Sequence, residues 1–271
     1  MENHLTPTDV ISDGSDGNDV LLLEDDKVAS CFKELTRLAE KVKEKLEGSR
    51  IIRTTRSTVY QDLLEEYKNE DIVETRIVPM FYDETGCGDG VLREMHSIFW
   101  EAFLKENCDG SSQCSIRPLP QMTDKCEIVG RIITHHFIQC LTFPVQLSRA
   151  TMHQAFFADV SKECLIDSFL KILPLKESEM LSKILEGREY PFPTDDVVDI
   201  LDEYNVRSFP SQDNVKELIK NVASMELVSR PNIALANIKK GMGPFWANVS
   251  KEMIDALCSL CEPTSSGIYQ V

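Results

Sequence analysis

Cysteine and histidine are the residues of this chain most able to do chemistry, and their spacing decides which chemistry to expect. The sequence has nine cysteines and five histidines, and it contains a single CxxC, formed by Cys258 and Cys261. A structural zinc site needs four ligands, usually as two short-spaced pairs, and no second CxxC or CxxH occurs. We therefore expect no metal and no cofactor, and an odd number of scattered cysteines also argues against a disulfide framework. The same argument applies to the other residues considered as metal ligands, which are Cys108, Cys114, Cys126, His135 and His136.

Three histidines could in principle serve as acid–base catalysts near neutral pH, namely His135, His136 and His153. Helical spacing places His135 one turn after Arg131, within an apolar run. That position favours a hydrogen-bonded histidine in the core over a catalytic one. No serine or cysteine stands beside these histidines in a recognisable nucleophile motif.

A glycine-rich turn stands between two segments of different character. The β-branched and aromatic run from Ile77 to Tyr82 predicts a buried strand, and apolar residues at helical spacing from Leu92 predict a helix. Glycines between a strand and a helix are also typical of a phosphate-binding loop. However, the Lys-Ser/Thr of a Walker loop and the third glycine of a dinucleotide fingerprint are missing, and the acidic residues of the turn would repel phosphate. We therefore expect no nucleotide site at Gly86, Gly88 and Gly90.

The formal net charge of −16 limits the classes of partner. Nucleic acid and anionic membranes both demand basic patches, so neither is expected to bind, whereas basic protein surfaces are suitable contacts. No apolar run approaches the roughly 18 residues of a membrane helix, and the N-terminus is acidic where a secretion signal would be basic. We expect an intracellular protein, cytoplasmic or nuclear and not secreted, with one or two compact units.

The N-terminal region divides into two parts. Residues 1–26 hold eight acidic residues and no Lys or Arg, which predicts a disordered acidic tail. A single apolar stripe with Lys and Glu elsewhere then predicts an amphipathic helix over residues 27–49, with Gly48 at the position where the helix would end.

Three further patterns predict local structure. Residues 50–56 form a short extended segment, and Thr58 and Gln61 have the spacing of a capping box that opens the next helix. Residues 107–124 are polar and contain Gly and Pro, which predicts a loop.

Two stretches resemble the signature motifs of the HECT domain found in ubiquitin ligases. The first combines a strand, an acidic glycine-rich turn and a helix that begins with Arg-Glu. The second is a Gly-Arg helix followed by a Phe-Pro link to Leu-Ser, and the order and spacing of the two stretches agree with the family. The segment around Asn214 and the pair Lys240-Gly241 add weaker similarity. The matching residues are Glu84, Gly86, Asp89, Gly90, Arg93, Glu94, Gly130, Arg131, Phe143 and Pro144.

The resemblance implies an α+β, mostly helical fold, with a HECT N-lobe-like domain over residues 50–271. Residues 175–209 stand where the family inserts the small subdomain that grips a ubiquitin-conjugating enzyme, and this segment is shorter than the family's insert. We expect it to form two helices that pack back on the large subdomain. Its candidate partner-binding residues are Tyr190, Phe192 and Tyr204, although aromatic residues at such spacing are also typical of a core.

The resemblance also implies a function, that of a HECT-type ubiquitin-protein ligase. Such a ligase takes ubiquitin from a conjugating enzyme and passes it to substrate lysines, so the implied partners are ubiquitin and that enzyme. The family's C-terminal lobe carries the thioester cysteine in a Thr-Cys context, and none of the nine cysteines here follows Thr. We therefore expect an N-lobe without the thioester cysteine, a truncated sequence that is inactive alone. The alternative is a non-catalytic helical interaction module or pseudo-ligase.

Overall fold

The structure is a computed structural model that describes residues 16–82, 84–117, 123–144, 146–187 and 195–260. The predicted α+β, mostly helical fold class is confirmed, since the described residues contain eleven α-helices and four short strands. No helix within these ranges is both long and apolar enough to cross a membrane. The elements are α1 Asp16–Lys43, β1 Ser49–Thr54, α2 Val59–Glu66, β2 Arg76–Phe81, α3 Asp89–Asn107, β3 Cys108–Gly110, β4 Cys114–Ile116, α4 Thr123–Cys140, α5 Arg149–Phe157, α6 Lys162–Ile172, α7 Leu175–Leu185, α8 Asp195–Glu203, α9 Val215–Ser224, α10 Asn232–Met242 and α11 Lys251–Leu260.

The N-terminal helix is longer at its start than the sequence pattern predicts. α1 begins at Asp16, so residues 16–26, which we expected in the disordered tail, belong to this helix, while residues 1–15 lie outside the described part of the chain. Neither Gly nor Pro occurs from residue 18 to residue 43, and extending an existing helix needs no new nucleus. The helix ends at Lys43, before the expected limit, and Gly48 has a φ of 68° in the turn that leads to β1.

β1 and β2 form a parallel pair, in which Ser49 lies opposite Arg76 and Thr54 opposite Phe81. The crossover between them contains α2. Alternate residues of both strands face the core, among them Ile52 and Ile77. The predicted extended segment and the predicted strand are therefore both present.

The predicted capping box at the start of α2 is absent. Thr58 is the N-cap residue, but its side chain makes no capping hydrogen bond. Its hydroxyl instead donates to the carboxylate of Asp62 at 2.7 Å, and the hydroxyl of Thr54 donates to the same carboxylate at 2.6 Å. The backbone of Thr58 (φ −112°, ψ −7°) is not in the extended conformation of a capping residue, and its hydroxyl oxygen accepts the backbone N–H of Thr55 at 3.2 Å. The prediction was therefore wrong.

The main core centres on the crossing of α4 and α10. Phe99 and Phe103 of α3 and Phe137 of α4 are fully buried around it. At the crossing itself, a Cβ added at Gly130 would overlap the carbonyl oxygen of Ile238, and a Cβ added at Gly241 would overlap that of Glu127. Glycine at both positions is what lets the two backbones touch.

The segment predicted as a loop over residues 107–124 contains a β-hairpin. β3 and β4 pair antiparallel, with Cys108 opposite Ile116 and Gly110 opposite Cys114, whereas residues 118–122 lie outside the described ranges. The hairpin was missed because each strand has only three residues, too few for an alternating pattern to stand out.

A second core is formed by α6, α7, α8 and α9. Leu181, Val197 and Ile219 are fully buried there, one from each of α7, α8 and α9. α7 and α8 are the two helices predicted within residues 175–209. They pack against α6 and α9, which lie outside residues 175–209, and the four helices form a cluster separate from the main core.

We predict that Gly241→Ala and Gly130→Ala each lower the free energy of unfolding by about 3 kcal/mol, because an added methyl group forces two packed helix backbones apart. Gly90→Ala is the matched control, since it also lies in a helix and a Cβ there would meet no atom within 4 Å. This control should be neutral or slightly stabilising. Urea unfolding followed by circular dichroism measures all three, and equal stability of the Gly241 and Gly90 variants would contradict the close crossing.

Candidate functional site

The acidic glycine-rich turn is held by an arginine that the motif does not contain. The guanidinium of Arg56 donates to the carboxylate of Glu94 at 2.7 and 2.8 Å and pairs with that of Glu84. It also lies 4.6 Å from the ring centroid of Phe81. The hydrogen bond from Arg56 lowers the pKa of Glu84. Arg56 thus links the turn, through Glu84, to Glu94 in the second turn of α3.

The rest of the turn faces solvent. Gly88, at the N-cap of α3, has a φ of 105°, a conformation that favours glycine. Gly86, Asp89, Gly90 and Arg93 are exposed, and so is Cys87. The cation that reaches the described part of this turn, Arg56, is paired with the carboxylates of Glu84 and Glu94.

Arg131, next to Gly130, joins three elements of the main core. Its guanidinium donates to the carboxylate of Glu127 at 2.7 Å, to the carbonyl of Tyr67 at 3.2 Å, and to the carboxylate of Glu70. Lys240 of α10 reaches the other oxygen of Glu127 at 2.6 Å. The Gly-Arg pair therefore holds the α4 and α10 crossing together.

Phe143 and Pro144 occupy the link between α4 and α5. The Phe143 ring packs edge-on against Phe137 at a centroid distance of 6.2 Å and lies 5.9 Å from the ring of Trp246. Pro144 is buried, and its carbonyl accepts the backbone N–H of Leu147 at 3.1 Å. Both residues have packing roles.

His135 is a buried structural histidine, as its position in the sequence predicts. Its Nε2 lies 2.9 Å from the carbonyl oxygen of Thr75 and 2.6 Å from the side-chain nitrogen of Gln139. Its Nδ1 lies 2.8 Å from the hydroxyl of Tyr67. Burial lowers the pKa of His135 to about 4.

His136 and His96 stack on each other in the interior, with ring centroids 3.1 Å apart. Neither ring nitrogen of His136 has a hydrogen-bond partner within the described residues. Burial lowers the pKa of both histidines well below the usual range. His135 lowers the pKa of both further, and His96 adds to the effect on His136. Both rings are therefore neutral near pH 7 and lie out of reach of a substrate.

His153 lies at a different place, on α5 facing α11. Its Nε2 is 2.8 Å from the carboxylate of Asp255, and the Arg149 guanidinium is 3.4 Å from the same oxygen. Despite the opposing effect of burial, the bond to His153 and the nearby cations lower the pKa of Asp255. The ring is almost fully buried, so this contact ties two helices together.

The cysteines offer little nucleophilic chemistry. Among the eight described cysteines, Cys87 alone is exposed. Burial raises the pKa of Cys126 to about 11 and also raises those of Cys140 and Cys164, which keeps these thiols protonated. No group of three or more His, Cys, Asp or Glu in the described ranges could hold a metal ion. Cys261 lies outside those ranges.

The structure describes one of the three aromatic residues considered for partner binding. Tyr190 and Phe192 lie outside the described residues. Tyr204 is half-buried, and its ring packs against Phe169 of the second core at a centroid distance of 5.5 Å. Burial raises its pKa to about 12. Its position is that of a residue at the edge of a core.

A cleft with a volume of about 500 Å³ lies between α7 and α8. Met180 and Ile200 supply its apolar lining. Five carboxylates and two ammonium groups surround them, which gives this acidic cleft a net negative charge. The charged lining residues are Glu177, Glu179, Asp196, Asp199, Glu203, Lys176 and Lys183.

The electrostatics of the acidic cleft favour a cationic ligand. The ion pairs of the surrounding unit, such as Lys171 with Asp167 and Arg230 with Glu226, lie outside the cleft. Partial burial and repulsion from Glu203 raise the pKa of Glu177. A positive group placed between these two carboxylates would relieve that repulsion.

Sequence reasoning missed both Arg56 and the acidic cleft. Asp195, Asp196 and Asp199 do stand out on α8, but whether they face a partner helix or open solvent depends on tertiary structure. Comparison with known proteins adds no assignment, because no protein-family model and no curated protein matches the chain. The fold and site together define a mostly helical α+β protein with two cores and an acidic cleft on the smaller one.

We predict that the buried histidines make the protein lose stability in mild acid. His135 has a pKa of about 4 in the folded state against 6.5 when exposed, so the unfolded chain binds the proton first. Stability is therefore full above about pH 6.5 and falls by about 3 kcal/mol from this histidine as the pH drops towards 4. His96 and His136 act in the same direction.

His136→Phe measures the contribution of one buried histidine to this loss of stability in acid. The substitution keeps an aromatic ring and removes two buried nitrogens that have no hydrogen-bond partner among the described residues. The variant should equal or exceed the wild type in stability at pH 7, and its advantage should grow below about pH 6.5. Urea unfolding at several pH values measures the difference. A constant difference across that range would show that His136 is protonated as easily in the folded state as in the unfolded one.

Proposed function

We propose that the chain is a HECT-type ligase-like protein that docks a ubiquitin-conjugating enzyme. The observation that supports the proposal is the role of the residues that carry the resemblance. In the first motif, Glu84 and Glu94 are held by Arg56, which lies before the motif in the chain. In the second, Gly130 and Arg131 hold the crossing of α4 with α10, the helix that contains Lys240-Gly241.

Docking is the part of ligase function for which this chain has suitable surfaces. Thioester transfer needs an accessible thiolate, and burial disfavours that state at Cys126, Cys140 and Cys164. Cys87 is exposed but lacks the Thr-Cys context of the family's nucleophile. In this proposal the thiol that accepts ubiquitin does not belong to the described part of the chain.

The acidic cleft is the proposed contact surface for the conjugating enzyme. It lies within residues 175–209, the segment that corresponds by resemblance to the family's small subdomain. Its carboxylates fit a basic patch on the partner, while Met180 and Ile200 offer apolar contact beneath them. Because the cleft is small, the interface should be weak and sensitive to salt.

The alternative function is that of a non-catalytic interaction module that binds a basic protein surface unrelated to ubiquitin transfer. The same cleft and the net charge of −16 favour it equally. The two functions differ in the partner that the cleft selects, so a binding measurement separates them.

We predict that a labelled ubiquitin-conjugating enzyme binds the full chain with a Kd above about 1 μM. Asp199→Lys, within the cleft, should weaken binding about tenfold at low salt, and high salt should reduce this effect. Asp202→Lys is the matched control, because it makes the same charge change on an exposed part of α8 that does not line the cleft.

The titration has three informative outcomes. Equal weakening by the two α8 variants would mean that only the overall charge matters, and the cleft would lose its assigned role. Sub-micromolar binding would contradict the expected weak docking. If none of a panel of conjugating enzymes binds, the proposed function is wrong and the interaction module takes its place.

We further predict that the chain forms no thiol-sensitive ubiquitin adduct when it is mixed with activating enzyme, conjugating enzyme and ubiquitin. A non-reducing gel compared with a reducing gel measures this. Cys87→Ser should behave like the wild type, as should Cys258→Ser and Cys261→Ser. An adduct that one of these substitutions abolishes would identify a working nucleophile and contradict the docking-only role.

A further inference from the structure

Two cysteines lie next to each other on one face of the β3–β4 hairpin. Cys108 pairs with Ile116, and Gly110 pairs with Cys114, so Cys108 and Cys114 are diagonal neighbours. In an antiparallel pair, residues two apart on a strand share a face, which brings these two side chains together.

The two thiols differ in their access to solvent. Cys108 is buried and Cys114 is half-buried. The neighbouring Cys114 thiol and burial together strongly raise the pKa of Cys108. The Cys114 thiol also lies 3.2 Å from the carbonyl oxygen of Gln146, to which it donates. One thiol can therefore meet a reagent from solvent, and the second is in place behind it.

We propose that Cys108 and Cys114 form a reversible redox pair that closes to a disulfide. The oxidant is a small-molecule disulfide such as glutathione disulfide. The Cys114 thiolate attacks one sulfur of the oxidant, which forms a mixed disulfide and releases one glutathione thiolate. Cys108 then loses its proton and attacks the Cys114 sulfur, which releases the second glutathione. In total, two protein thiols are oxidised and one external disulfide is reduced to two thiols.

The backbone must adjust when this disulfide closes. Diagonal neighbours in a β-ladder have Cα atoms about 7–8 Å apart, whereas a disulfide needs about 4.4–6.8 Å. Closure therefore has to draw the two strands together along the diagonal between Cys108 and Cys114. Closure would also withdraw the Cys114 sulfur from the Gln146 carbonyl. Oxidation is therefore coupled to the shape of the hairpin.

The hairpin joins the two cores, which gives that change a structural consequence. Cys108 and Ile116 belong to the main core. At the tip, the backbone N–H of Ser111 donates to the carbonyl of Ile172 at 3.0 Å, and that of Ser112 donates to Lys171 at 3.2 Å, both at the end of α6. Oxidation would thus alter the joint between the main core and the second core. This inference does not depend on the proposed function.

Glutathione buffers of graded redox ratio test the pair in the full chain, with acid quenching, alkylation of free thiols and mass spectrometry. Trypsin should release residues 106–125, a peptide that contains Cys108 and Cys114 and no other cysteine. We expect this peptide to become lighter by two hydrogen atoms under oxidising conditions, without bound glutathione, and to return to the dithiol form on reduction.

Single substitutions separate the two steps. Cys108→Ser should retain glutathione on Cys114, because the resolving thiol is gone, whereas Cys114→Ser should leave Cys108 largely unmodified. Exposed Cys87 serves as the internal control, since it should take up glutathione at similar ratios and keep it.

Several results would overturn the redox pair. One is a wild-type peptide that stays glutathionylated at Cys114, and another is a peptide alkylated at both cysteines at the most oxidising ratio. Crosslinking of either cysteine to a different one would do the same. The wild-type peptide decides the question even if a serine variant fails to fold. A second readout is hydrogen exchange at residues 111–113, which should slow on oxidation if the joint with α6 becomes stiffer.

Discussion

The contact between α4 and α10 is the constraint on which the main core depends. Two glycines, Gly130 and Gly241, let the helix backbones meet, and polar contacts then fix the alignment. The Thr134 hydroxyl donates to the carbonyl of Met242 at 2.9 Å and accepts the indole N–H of Trp246 at 2.7 Å. Such contacts form only at one separation, so a larger residue at either glycine would disturb the hydrogen bonds as well as the packing.

The second core is tied to this frame differently. Backbone hydrogen bonds from the hairpin tip reach the end of α6, and the backbone N–H of Ala150 on α5 donates to the Ser168 hydroxyl at 3.0 Å. α5 also contributes to the second core directly, because its Ala150 is fully buried there. The acidic cleft lies on this second core.

Much of the fold could be predicted because the apolar patterns of single elements are strong. The stripes of α3 and α4 and the strand β2 follow from residue spacing alone. The hairpin could not be predicted, because its short strands are held by carbonyl groups from α6 and from the link after α4. The start of α1 was wrong because a composition argument overlooks the low cost of extending a helix.

The candidate site was harder to predict than the fold, since each of its contacts joins residues far apart in sequence. Gly130 and Gly241 both lie in stretches that resemble the family, but the sequence did not show that they meet or why both are glycine. Arg56 was visible only as part of an extended segment, although it organises the acidic turn. Asp199 and Glu203 share a role only in the cleft, which exists only when α7 lies beside α8.

The distribution of titratable groups favours binding over catalysis in the described part of the chain. Burial holds His96, His135 and His136 neutral and keeps several thiols protonated, so groups that could transfer protons or attack a substrate lie inside. The groups left at the surface are mainly carboxylates, which are ionised at neutral pH and exert their effect through charge. A partner with a basic face gains from that charge without any reaction taking place. Under the proposed function, the smaller unit would therefore supply the docking surface and the larger unit would support it.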